Sequence, residues 1–287
     1  MRVQPQANSP RILQAGPTAA MVVAVGGDRL AFTAPGRALL AMVDTSAARD
    51  LAQTLLSAHP HSLRHLVLRR WRAMRHLDRI AAEHPDAAQL ILVPGAGLSA
   101  ISVDWCTLHP GARAIEIDYD HVDAKRDAIA AAAPAVASRI TCMHHDLRDP
   151  KSLAGRLSAL GWSPRTPCTW IIEGLSYYLA HAELTELLAL SRDAHRNTRI
   201  VSEYGARRDT LRVPARDALT AYHRMIAQRI GMDDLHETDM AAVAAGAGLQ
   251  VLADECAADI ETLIADGTRT FSDALDSSMR MALLAPR

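Results

Sequence analysis

The chain has 287 residues, of which 49% are hydrophobic and 22% are charged, and its formal net charge is −1. This length and composition predict one large globular domain, or one domain with a cap, that buries a sizeable core. The near-zero net charge gives no electrostatic reason to expect a nucleic acid or an anionic membrane as partner. The four cysteines are scattered without metal-ligand spacing, so we expect reduced thiols, no metal site and a cytoplasmic location.

The first ninety residues are mostly helical in pattern. An apolar run over 19–25 is too short to cross a membrane, and we expect a loose leader or a strand elaboration over residues 1–36. Apolar residues then recur at helical spacing over 38–57 and again over 63–82. These two patterns predict a helical cap over 37–88.

The hydrophobic period changes at residue 89, where short apolar runs begin to alternate with helical segments. Continuous apolar runs are typical of buried parallel strands, and their alternation with helices predicts an α/β fold with a doubly wound sheet. The expected strands are 90–94, 112–118, 139–146, 168–174, 199–205 and 249–255, with helices at 121–133, 151–160, 181–194 and 238–246. This core would extend over 89–287, and the Arg-, His- and Asp-rich helical insertion at about 206–236 predicts a lid.

Candidate site residues follow from the rule that open α/β sheets bind ligands beyond the carboxyl ends of their strands. The first predicted strand runs into Gly95-Ala96-Gly97, and Ala100 completes a G-x-G-x-x-A turn that lets a ligand approach the backbone. Asp118 ends the second strand, 23 residues beyond Gly95. A carboxylate at this distance suits the two hydroxyls of a ribose, and its alternative role is to cap the next helix.

Acidic residues also end the later strands. Asp146 and the apolar Leu147 suit the amine and the face of an adenine, unless Asp146 caps the helix that begins near residue 150. Glu173 ends an apolar strand beside Gly174, and its carboxylate would be costly to bury without a partner. The alternative role of Glu173 is to cap the helix near residue 181. Glu203 ends the fifth strand in the same way.

Four segments in this order carry a family resemblance: PGAGLSA, AIEIDYDHVDAKRDAI, HHDLRDP and IIEGLSYYL. Together they resemble the leucine carboxyl methyltransferase family, whose bacterial members include natural-product O-methyltransferases. The resemblance covers roughly residues 65–255. It implies a Rossmann-like methyltransferase sheet that binds S-adenosyl-L-methionine, a small-molecule acceptor and a setting in secondary metabolism.

The resemblance also implies roles for particular residues. Gly95 and Gly97 would lie at the methionine end of the cofactor, Asp118 at the ribose, and Asp146 with Leu147 at the adenine. The family binds the cofactor carboxylate through an arginine upstream of the glycine loop. The complete set of implied cofactor-binding residues is Arg70, Arg72, Gly95, Ala96, Gly97, Glu116, Asp118, Asp146, Leu147, Glu173 and Gly174. The chain departs from the family at 99–101, where Ser-Ala-Ile replaces an Asp-Thr-Arg-like triplet.

The chemistry of methyl transfer explains why the sequence needs no catalytic triad. A carboxylic acid, with a pKa near ~4, is ionised at neutral pH and attacks a sulfonium methyl group without a general base. The enzyme has only to desolvate and orient it. We therefore expect a carboxylate acceptor held by hydrogen-bond donors, with homodimer formation left open. The substrate-side candidates are Glu173, Tyr177, Tyr178, Tyr204, Arg207, Arg208 and Tyr222, with Arg212, Arg216 and His223 as further lid residues.

Three alternatives remain open at this stage. The same fold can methylate nitrogen, sulfur or a phenol. The glycine turn can also serve an NAD(P)-dependent oxidoreductase, although the sequence lacks an obvious Tyr-x-x-x-Lys pair and its glycine loop lies unusually far from the N-terminus. The missing triplet at 99–101 is compatible with a non-catalytic binding protein on a methyltransferase fold.

Overall fold

A seven-stranded sheet forms the centre of the fold in a computed structural model, which describes Leu13 and residues 16–287. The strands lie in the order β3-β2-β1-β4-β5-β7-β6, with β1 to β5 parallel and β7 antiparallel to both of its neighbours. Their bounds are β1 (Leu90–Pro94), β2 (Arg113–Asp118), β3 (Ile140–His144), β4 (Thr169–Ile172), β5 (Arg199–Gly205), β6 (Leu249–Cys256) and β7 (Met279–Pro286).

Twelve α-helices surround the sheet within the part of the chain that the structure describes. They are α1 (Pro17–Gly26), α2 (Ala34–Ala41), α3 (Arg49–Ala58), α4 (Ser62–Glu83), α5 (Ile101–Leu108), α6 (Val122–Ala132), α7 (Pro134–Ala137), α8 (Pro150–Ala159), α9 (His181–Ala189), α10 (Val213–Ile230), α11 (Met240–Ala247) and α12 (Ala257–Thr262). Across Leu13 and residues 16–287, no helix is both long enough and apolar enough to span a membrane.

The sheet is buried on both faces, which explains its continuous apolar runs. In β1, Ile91 and Val93 pack into one hydrophobic cluster, whereas Leu90 and Leu92 pack into another on the opposite face. Successive side chains of a strand point to opposite faces, so helices must cover both. The predicted doubly wound α/β fold and its six strands are confirmed.

The structure differs from the sequence-based expectation at three places. The apolar run after Pro17 forms helix α1 and not a strand, and this helix packs against α3 and α4; the earlier part of the expected leader, apart from Leu13, lies outside the described residues. The single helix expected over 38–57 is divided into α2 and α3 by a turn in which Asp44 accepts a hydrogen bond from the Ser46 amide. Strand β7 near the C-terminus inserts between β5 and β6, where no strand is expected from the sequence.

Candidate active site

A cavity of about 480 Å³ opens at the carboxyl ends of the central strands. It lies where the chain order reverses between β1 and β4, the position at which open α/β sheets bind ligands. The glycine loop after β1 and the residues that follow β4 form its floor. Helices α1, α4 and α10 supply side chains to its walls, so helices that precede β1 and a helix that follows β5 both enclose it.

The glycine loop is a tight turn that brings backbone close to the cavity. Gly95 and Gly97 have φ values of 65° and 45°, a region that L-residues with side chains rarely adopt. A Cβ atom at Gly95 would lie 3.0 Å from the Leu175 side chain. The Gly97 amide donates a 2.7 Å hydrogen bond to Asp118. The turn therefore requires glycine, and a hydrogen bond joins it to Asp118 at the end of β2.

Asp118 and Asp146 both line the cavity, and neither caps a helix. Asp118 also accepts a 2.8 Å hydrogen bond from the Tyr119 amide, and the N-cap of α6 is His121. Asp146 forms a 2.7 Å ion pair with Arg148, and the N-cap of α8 is Asp149. The capping alternatives for these two acids are therefore wrong.

Arg70 and Glu173 form a buried ion pair in the cavity wall. The distance from Nη1 of Arg70 to Oε2 of Glu173 is 3.1 Å, and the two side chains are 5% and 6% exposed. Among the described residues, neither carboxylate oxygen of Glu173 has a hydrogen-bond partner, and neither do Nε and Nη1 of Arg70. Buried polar groups are nearly always satisfied, so this pair has unused capacity to bind a charged ligand. Glu173 does not cap the helix near residue 181, because Ala180 is the N-cap of α9.

A second charged cluster lies beside Gly174. Glu203 accepts 2.7 Å hydrogen bonds from the Gly174 amide and from the Tyr177 hydroxyl. Nη1 of Arg69 lies 3.7 Å from the same carboxylate. Burial, and then the charge of Glu203, hold the pKa of Tyr177 well above its usual value, so this phenol stays protonated. Tyr178 and the α10 residue Tyr222 also line the cavity.

The inner face of α4 supplies residues that the sequence analysis missed. Ser62, His65, Leu66 and Arg69 line the cavity together with the predicted Arg70. Their spacing of three and four residues is one face of a helix, which is the signal that could have found them. Burial holds the pKa of His65 well below 6.5, so it adds no positive charge at neutral pH.

Three predicted residues outside the 206–236 segment do not line the cavity. Arg72 forms a 2.6 Å ion pair with Glu255 of β6, because two positions along a helix turn its side chain away from that of Arg70. Tyr204 alternates with Glu203 on β5 and donates a 2.8 Å hydrogen bond to Asp254 on the opposite face.

Glu116 is the third of these residues, and it acts behind the glycine loop. Its side chain is buried, two residues before the end of β2, and forms a 2.6 Å ion pair with Lys125. The Lys125 ammonium in turn lies 3.4 Å from the Ala96 carbonyl oxygen. Glu116 therefore holds a lysine that supports the loop, and it does not contact the cavity.

The predicted lid arginines also lie outside the cavity lining. Arg207 pairs with Asp209 at 2.5 Å, and Arg208 pairs with Asp234 at 2.8 Å and with Glu237. Carboxylates close to them in the fold satisfy these guanidinium groups, and neither arginine is among the residues that line the cavity. The same holds for Arg212, which pairs with two aspartates. His223 is fully buried between Tyr177 and Tyr222 and is not part of the lining.

Among the described residues, no group of three or more His, Cys, Asp or Glu side chains is arranged so that it could hold a metal ion. The fold and the cavity together define an α/β protein with a candidate ligand site at the switch point of its sheet. Comparison with known proteins identifies the family.

The sequence profile of the leucine carboxyl methyltransferase family matches residues 5–191, and the chain belongs to this family. It is similar to the crystal structure of a candidate methyltransferase from Thermobifida fusca YX, with a TM-score of 0.67 and 14% identity over 100% of this chain and 99% of that one. A DUF574 family protein from Streptomyces avermitilis MA-4680 has a TM-score of 0.63 and 15% identity over 95% and 98%. No curated protein sequence matches the chain.

Family membership settles the enzyme class that the sequence left open. The chain is a methyltransferase and its cofactor is S-adenosyl-L-methionine. The oxidoreductase alternative is therefore wrong.

Proposed function

We propose that this enzyme transfers the methyl group of S-adenosylmethionine to the carboxylate of a small molecule, forming a methyl ester. The observation that carries the acceptor assignment is the environment of the Arg69 side chain. Its side chain lines the cavity beside Gly174 and has one ion contact at 3.7 Å, to Glu203, and no hydrogen bond among the described residues. A guanidinium with free donors suits a carboxylate ligand.

The residues present fit the cofactor. S-adenosylmethionine carries an ammonium and a carboxylate on one carbon, and the under-satisfied Glu173 and Arg70 offer one charge of each sign within 3.1 Å of each other. The glycine loop provides clearance for this amino-acid end. We assign Asp118 to the ribose hydroxyls, and Asp146 with Leu147 to the adenine. When bound, the cofactor supplies an electrophilic methyl group.

The chain's own residues then have to orient the acceptor and exclude water. Arg69 would hold one carboxylate oxygen and direct the other toward the methyl group. Glu203 holds the Tyr177 hydroxyl at 2.7 Å and lies near Arg69, so it positions both. No group needs to remove a proton, because the acceptor is already ionised at neutral pH.

Methylation of a phenol is the second candidate, and one observation favours it. His59 and His65 line the cavity with their ring centroids 5.0 Å apart. Burial lowers the pKa of both imidazoles, so they are neutral at pH 7 and either could accept a phenolic proton. The stability of the product to base separates the two, because a methyl ester is hydrolysed in mild alkali and an aryl methyl ether is not.

The test of the proposal is a comparison of Arg69→Gln with Arg72→Gln, which removes an arginine of the same helix outside the cavity. A lost charge-assisted hydrogen bond is worth about 1.5–3 kcal/mol, so Arg69→Gln should lower kcat/KM for an acid acceptor by about 10- to 150-fold. The affinity for S-adenosylhomocysteine should not change. Equal losses in both variants, or a base-stable product from the parent enzyme, would contradict the proposal.

A further inference from the structure

Part of the cavity has an apolar lining. We define the apolar wall as six side chains from α1, α3, α10 and the turn after α10: Met21, Val22, Leu55, Tyr222, Ile230 and Met232. They belong to a small hydrophobic cluster separate from the two that cover the sheet. Met21 and Leu55 are buried, whereas the other four are only partly buried and pack against the cluster.

Arg69 lies near this wall. Its Nη1 atom is 3.7 Å from Glu203, which accepts a 2.7 Å hydrogen bond from Tyr177, a residue of the same small cluster as Tyr222. The three arginines in the described cavity lining are Arg69, Arg70 and Arg148. Arg70 is paired with Glu173 at the proposed cofactor end, and Arg148 is paired with Asp146. Arg69 has only its 3.7 Å contact with Glu203 and no hydrogen bond among the described residues, so its donors are available to an acceptor.

We propose that the acceptor is a monocarboxylic acid with an apolar body, whose carboxylate meets Arg69 and whose body completes the apolar wall. This inference rests on the proposed function and adds the substrate class. A second carboxylate on the body would be buried against methionine, leucine and isoleucine side chains without a cation, which is costly. Neutral His59 and His65 do not compensate such a charge.

The experiment is isothermal titration of the enzyme loaded with S-adenosylhomocysteine, using butanoate, octanoate and octanedioate as probes, together with methyl transfer to each acid from S-adenosylmethionine. Burial of one methylene group strengthens binding about threefold to fourfold, so octanoate should bind on the order of 100-fold more tightly than butanoate. Octanedioate should bind no more tightly than butanoate.

Variants of α10 test whether the wall makes this selection. Ile230→Trp fills the wall and should weaken octanoate binding at least tenfold, and Ile230→Ala should weaken it a few-fold by removing contacts. Gln228→Trp places the same indole on the exposed side of α10 and should leave octanoate binding unchanged. The affinity for S-adenosylhomocysteine and the thermal midpoint report whether each variant is folded.

The outcomes separate the two proposals. If octanoate binds with the expected chain-length dependence but forms no methyl ester, carboxyl methylation is wrong and the apolar site is supported. If butanoate or octanedioate binds as tightly as octanoate, the apolar-body inference alone is overturned, whether or not esters form. If no acid binds to the loaded enzyme, both are overturned.

Discussion

Replacement of Glu173 by Gln removes one charge from the cavity wall and keeps the shape of the side chain. The Glu173 carboxylate is 6% exposed and 3.1 Å from Nη1 of Arg70, with no hydrogen bond to either oxygen among the described residues. We assign it to the ammonium group of the cofactor. The substitution therefore changes two quantities, the affinity for the cofactor and the free energy of unfolding.

The size of each effect follows from the burial of the pair. Loss of a hydrogen bond to a charged group costs about 1.5–3 kcal/mol, so binding of S-adenosylhomocysteine should weaken about 10- to 150-fold. The Arg70 guanidinium would be left in the wall without its counter-ion. Breaking a buried ion pair in this way costs roughly 3–5 kcal/mol, and the free energy of unfolding should fall by up to this amount.

The control is Glu255→Gln, which breaks the ion pair between Glu255 of β6 and Arg72. Arg72 is on the same helix as Arg70, but its pair with Glu255 lies outside the cavity. Titration with S-adenosylhomocysteine measures affinity, and urea unfolding measures stability. We expect Glu255→Gln to lower stability and leave affinity unchanged, whereas Glu173→Gln lowers both. An equal loss of affinity in both variants, or binding by folded Glu173→Gln as tight as that of the parent protein, would contradict the role assigned to Glu173.

Two further predictions concern pH and the glycine loop. Burial raises the pKa of Glu255, but hydrogen bonds from His76 and Arg72 outweigh it and lower the pKa from 4.5 to about 2. Stability from this pair, on the order of 2 kcal/mol after screening, is present above pH 4.5 and is lost as the pH falls toward 2. Urea unfolding between pH 2.5 and 6 should show this slope in the parent and a shallower one in Glu255→Gln; equal slopes would refute it. Gly95→Ala should strain the turn by about 1–2 kcal/mol and weaken S-adenosylhomocysteine binding. Gly231→Ala, also at positive φ but with nothing within 4 Å of its added Cβ, should lower stability alone.

Most of the secondary structure and the positions of the strand-end residues could be read from local sequence. Continuous apolar runs marked the strands, because each is buried on both faces of the sheet. Gly95, Asp118, Asp146 and Glu173 were located at the cavity for a general reason: parallel strands end at one edge, so residues just beyond them converge.

Tertiary packing decided which neighbouring side chain faces the cavity. Arg69 and Arg70 face it and Arg72 does not, because the rotation of α4 about its axis depends on the sheet and helices against which it packs. The same reason explains the segment after β5, where acids distant in sequence, Asp234 and Glu237, satisfy Arg208. By itself the sequence determined the fold and the strand-end residues that line the cavity, because these signals are local. The other walls were decided only by the packing of α1, α4 and α10, which brings together residues more than 150 positions apart.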